Sequence, residues 1–132
     1  MKRWLVALVV LGVVVTAGAA IAKTVGLSAS PNPARVGDRV RHDVEVGASA
    51  RLEVWISARG FERPGTGTLP SGTWSLECCP QQTAGTPAWH YRSSAVVAPG
   101  AYRFGAVAAQ SGSYLSSALV GGSVATVWVR IR

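Results

Sequence analysis

The chain has 132 residues, with 13 Lys or Arg against 6 Asp or Glu, a net charge of +7, and only two cysteines. That length holds one small domain. The basic residues are scattered, with no basic run and no zinc-finger spacing, which argues against specific nucleic-acid recognition and suits solubility and loose attraction to anionic surfaces.

The chain opens with Lys2 and Arg3, then an uncharged stretch from Trp4 to Ala22 with an apolar centre from Leu5 to Val15 and the small-residue close Ala20-Ile21-Ala22. A basic start, an apolar middle and an A-x-A site describe a secretory signal peptide over residues 1 to 22. The alternative is an uncleaved anchor, because 19 uncharged residues come close to the roughly 20 that span a bilayer. Either way the remainder lies outside the cytoplasm, secreted or at the cell surface, and only the uncleaved form touches a membrane. Cleavage after Ala22 leaves residues 23 to 132 as the folded domain, with a net charge of +5.

The rest of the chain reads as strands and turns. After a weaker strand at Val25 to Ser30, Arg39 to Val46 places Val40, His42, Val44 and Val46 on one face and Arg39, Arg41, Asp43 and Glu45 on the other. That period of two marks a half-buried strand. Arg51 to Arg59 repeats it, with Leu52, Val54 and Ile56 opposite Glu53, Trp55 and Ser57. Weaker strands are expected at Thr73 to Cys78 and Trp89 to Val97, and stronger ones at Ala101 to Ala108 and Val124 to Arg132. Pro31-Asn32-Pro33, Val36-Gly37-Asp38, Pro70-Ser71-Gly72 and Pro99-Gly100 supply turns between them. About seven short alternating strands predict an all-β, two-sheet antiparallel sandwich, with a small barrel as the competing arrangement.

The fourth of these strands ends at Cys78, and Cys79 follows directly. In an extended strand Cys78 shares the parity of Trp74 and Leu76 and points inward as an inert thiol, leaving Cys79 outside and reactive. A bond between them comes second. Neighbouring Cα atoms stand about 3.8 Å apart, less than the usual disulfide span of roughly 4.4 to 6.8 Å. A metal site comes third, because two sulfurs leave a tetrahedral set incomplete.

Ser28 to Val46, SASPNPARVGDRVRHDVEV, resembles the opening of bacterial immunoglobulin-like domains of exported and cell-surface proteins. Pro99 to Phe104, followed by Gly112 to Ser117 and a Val-rich last strand, resembles their end. The resemblance implies an immunoglobulin-like sandwich that serves as a spacer, an adhesive module or a platform for a partner. It puts Tyr102 at the tyrosine-corner position and Phe104 in place of the second cysteine of antibody domains, with Val44 opposite, so that no inter-sheet disulfide forms. It also implies that the third, sixth and last strands share a sheet.

On that sheet Trp55 has the wrong parity for a buried core tryptophan, so either a bulge shifts the register or the indole faces outward. The outward reading places Trp55 and Trp128 on either side of Gly105, with Arg103 and Arg130 beside them. Paired indoles over a small-residue floor stack on sugar rings, and Trp and Arg are enriched at protein-binding hot spots. Trp55, Arg103, Trp128 and Arg130 are therefore the candidate binding residues for a protein or glycan partner at the cell envelope. The bland alternative is that the indoles pack under a loop or against arginines.

Catalysis finds little support. His42 reads as a hydrogen-bonded core residue and His90 as a surface or edge residue. No G-x-S-x-G elbow appears, and the acidic residues read as turn and solvated-face positions. No cofactor, metal site or catalytic residue is expected. The alternative from another class is a small metal-handling or redox protein that uses Cys78, Cys79 and the two histidines.

Overall fold

The computed structural model describes residues 24 to 65, 74 to 82 and 85 to 132. The signal-peptide assignment to residues 1 to 22 and the Pro70-Ser71-Gly72 turn lie outside the described residues. Eight strands are described: β1 (Val25–Ser30), β2 (Arg39–Val46), β3 (Leu52–Ser57), β4 (Trp74–Glu77), β5 (Ala88–Ser93), β6 (Gly100–Val107), β7 (Gly112–Val120) and β8 (Ser123–Ile131). They form an antiparallel β-sandwich, with a three-stranded sheet in the order β1-β2-β6 and a five-stranded sheet in the order β4-β5-β3-β7-β8.

The alternation seen in the sequence sets the layers. Val40, His42, Val44 and Val46 of β2 are buried, while Arg39, Arg41 and Glu45 are exposed. Leu52, Val54 and Ile56 of β3 are buried as well, and Trp55 between them faces out with no bulge in the register. These side chains meet Phe61, Tyr91, Phe104, Ala118 and Val129 between the sheets. The Tyr91 and Phe104 rings cross edge to face with centroids 4.9 Å apart. Each fully buried Leu, Ile or Phe stabilises the fold by about 1.5 to 3 kcal/mol relative to exposure. Tyr91 donates its hydroxyl to the Gly65 carbonyl, and burial pushes the phenol up to about 12 against the opposing pull of Arg63.

β7 is the strand that the hydrophobic pattern does not announce, and it changes the topology. It lies between β3 and β8, joined to β8 by a Gly121-Gly122 hairpin in which Gly121 takes φ 58°. β6 pairs with β2 in the other sheet, so β3, β6 and β8 do not share a sheet as the resemblance implied.

The cross-sheet link changes with it. Near the start of β7, the Tyr114 hydroxyl donates to the Ser111 carbonyl at 2.9 Å, the geometry of a tyrosine corner. Two residues on, fully buried Ser116 meets His42 Nε2 of β2 at 2.9 Å. A histidine–serine hydrogen bond thus joins the sheets where antibody domains carry a disulfide. Tyr102 also bonds back along the chain, to the Ala98 carbonyl at 2.6 Å, but it belongs to β6 of the three-stranded sheet.

The C-terminal part of the free edge of β8 is covered by the segment before β2. Asn32 donates from Nδ2 to the Trp128 carbonyl at 2.9 Å and accepts from the Arg130 amide at 3.0 Å. Ala34 then pairs in parallel with Ile131 through bonds to the Arg130 carbonyl and the Arg132 amide, each 2.8 Å. An edge with its backbone groups occupied is a poor template for another strand.

Candidate binding face on the five-stranded sheet

The strand register lays the outward side chains of this sheet in rows. One row runs Glu77, His90, Trp55, Ser117, Thr126 across β4, β5, β3, β7 and β8. The next runs Arg92, Glu53, Leu119, Val124. On the other side, Leu115 stands opposite Trp128 and Ser113 opposite Arg130.

At the centre, the Trp55 indole lies flat on the His90 imidazole, with centroids 3.6 Å apart and the planes 13° from parallel. His90 is clamped in turn. Its Nε2 is 2.9 Å from Glu53 Oε1, and its Nδ1 is 3.8 Å from Glu77 Oε2. The indole therefore rests on a ring that carboxylates hold from two sides, and its orientation is set before anything binds. Glu53 and Glu77 approach opposite nitrogens of one imidazole and do not converge on a common point. Among the described residues no group of three or more His, Cys, Asp or Glu is placed to hold a metal.

Beside Trp55 the face sinks into an open depression of about 550 Å³. Ser117 and Thr126 lie on its floor strands, Leu115 and Leu119 flank them, and Glu53, Gln81 and Gln82 stand around it. The amide of buried Gln82 is fixed by donating to the Leu115 carbonyl at 3.1 Å and to Thr86 Oγ1 at 3.2 Å. A second cleft of about 440 Å³ adjoins through Glu53 and is lined by Arg51, Arg92 and Ser93. Trp128, 61% exposed, stands on the same face.

Of the four residues singled out from the sequence, Trp55, Trp128 and Arg130 share this face. Arg103 does not. It lies on the outer side of the three-stranded sheet, where Asp43 bridges it and Arg41 at 3.0 Å each. Gly105, expected as the floor between the indoles, is on that same strand under the Arg39 side chain, whose Nη1 would come within 3.3 Å of an added Cβ. The floor is Ser117 of β7. Sequence reasoning missed Ser117, Thr126 and Arg92; the alternation of Ser113, Leu115, Ser117 and Leu119 with their neighbours signals a strand, but its leucines point the pattern to the wrong face.

The two cysteines are bonded to one another. Cys78 is exposed and Cys79 half-buried, the reverse of the inward and outward placement expected from strand parity. The reason is that β4 ends at Glu77, so its alternation does not reach them. The bonded pair leads through Pro80 into Gln81 and Gln82 at the rim of the depression. His42 lies in the core, and the chain does not bring it to His90, which is on the outer face. Burial pushes the His42 imidazole down to about 4; the Val40 backbone and the Asp43 charge pull the other way, and Nδ1 has no hydrogen-bond partner of proper geometry among the described residues.

The chain matches no protein-family model and no curated protein. Among solved structures it is similar to the Reelin-N domain of F-spondin, with a TM-score of 0.50 and 10% identity over 83% of this chain and 88% of that one. The human F-spondin reeler domain matches with a TM-score of 0.48 and 11% identity over 83% and 89%, and BslA, a bacterial hydrophobin, with 0.42 and 13% over 82% and 99%. At such identities the likeness is one of fold: an all-β sandwich.

Proposed function

We propose that this chain is a non-catalytic exported module of the immunoglobulin-like kind, working outside the cytoplasm, and that the outer face of its five-stranded sheet binds a glycan at the cell envelope. The observation that carries this reading is the Trp55 indole, held flat on His90 beside an open depression floored by Ser117 and Thr126. A sugar ring offers an apolar face of C–H groups and a rim of hydroxyls. An indole takes the first, while hydroxyl, amide and carboxylate groups take the second. Export rests on the leader pattern of residues 1 to 22. A metal or redox role is less well supported, since His42 and His90 lie in different layers and the cysteines are bonded together.

Screening the purified protein against an oligosaccharide array tests the reading, followed by titration of any ligand found. Trp55→Ala is expected to weaken binding at least tenfold, ~1.4 kcal/mol, with the far-ultraviolet circular dichroism unchanged. Full affinity in that variant, or no ligand on the array, would reject it.

A further inference from the structure

Resting on that reading, we infer that the glycan is acidic: its ring stacks on Trp55 while a carboxylate on the same or the next sugar enters the cleft between Arg51 and Arg92. The first support is charge. Among the described residues Asp43 pairs with Arg41 and Arg103, and Glu53 and Glu77 face the two nitrogens of His90. No carboxylate pairs with Arg51 or Arg92 among the described residues, although both line one cleft and both are exposed. Glu53 lines the same cleft, opposite Arg92, but its Oε1 is turned to His90, so two guanidinium groups face one carboxylate there and the cleft keeps an excess of positive charge. A planar carboxylate that accepts from both arginines offsets this excess in a fork geometry that Lys cannot supply.

The second support is continuity. Arg92 lies two residues along β5 from His90, the cross-strand partner of Trp55, so it is a diagonal neighbour of Trp55 at roughly 7 to 8 Å between backbones. A ring lying on the indole can therefore place an acid group, its own or its neighbour's, over the arginines. Glu53 forms part of both depressions, and its Oε1 is engaged by His90. This leaves Oε2 of the carboxylate as an acceptor for a sugar hydroxyl between the two subsites.

The test uses the full protein with oligogalacturonate and oligoglucuronate, each compared with its methyl ester, which keeps the ring and removes the charge. The acids are expected to bind at least tenfold more tightly than the esters at low ionic strength. That preference should collapse in high salt and in the Arg51→Gln/Arg92→Gln variant, with ester binding unchanged. Arg39→Gln, on the outer side of the three-stranded sheet, should leave the preference intact. Esters binding as well as acids, with Trp55 still required, would overturn the acidic inference while the glycan reading stands. An acid preference that survives Arg51→Gln/Arg92→Gln would also overturn it, because the charge would then be read elsewhere. If neither acids nor esters bind, the acidic inference fails; if the array is also blank, the glycan reading fails with it.

Discussion

His42 links the two sheets through one hydrogen bond to Ser116, and its burial gives the domain a dependence on acidity. Burial pushes the imidazole down to about 4 from 6.5, so between those values the unfolded chain binds a proton that the folded chain refuses. Stability is full above about pH 6.5 and falls as the pH drops toward about 4. Each pH unit across that window is worth ~1.4 kcal/mol, so the total loss is about 3 kcal/mol. Replacing both partners, in His42→Leu/Ser116→Ala, leaves no buried polar group behind. Denaturant unfolding of that variant should show a flatter pH profile than the parent over this window, and an equally steep one would mean that other groups carry the dependence. Gly60, in the turn after β3, offers a second check. A Cβ there would collide with the Tyr114 ring, and Gly60→Ala is expected to cost about 1 to 3 kcal/mol, read as a lower denaturation midpoint at constant slope.

At the level of strands, β2, β3, β6 and β8 were legible because apolar and polar side chains alternate in step with burial. β7 was not, because its pattern is inverted. It puts Ser116 and Ala118 inside and Leu115 and Leu119 outside, so hydrophobicity points to the wrong face. Serine is admitted inside because His42 satisfies its hydroxyl, a tertiary partner that no local pattern reveals. The loss of one strand then propagated. With β7 absent, β6 took its place beside β3 and β8, which moved Arg103 and Gly105 onto a face they do not occupy. The parity of Trp55 and Trp128 survived the error, since alternation within a strand does not depend on which strand lies next to it. Strand order depends on pairing across the sheet, and the arginine cleft needed that order. The cysteine placement failed for a local reason, the end of β4 at Glu77.

Across the whole molecule, residue 24 and residue 132 leave the sandwich at opposite ends. Thr24 is bonded beside Gly47, near Val46 and Gly100, while Arg132 is bonded beside Ala34 and Val36, near the Asp38 turn. A pull on the two ends therefore runs along the long axis of the strands. Ala34 and Ile131 run parallel, and opposite tugs on them slide the seam sideways. The Asn32 and Ala34 bonds to β8 must then rupture together, whereas an antiparallel seam peeled from one end surrenders its bonds singly. In stretching by atomic force microscopy, Asn32→Ala, which removes the two side-chain bonds to Trp128 and Arg130, should lower the unfolding force, and an unchanged force would place the mechanical clamp elsewhere. The segment that covers the C-terminal part of the β8 edge is thus also a shear clasp, and a domain fastened at one end and tugged at the other would depend on it to stay folded.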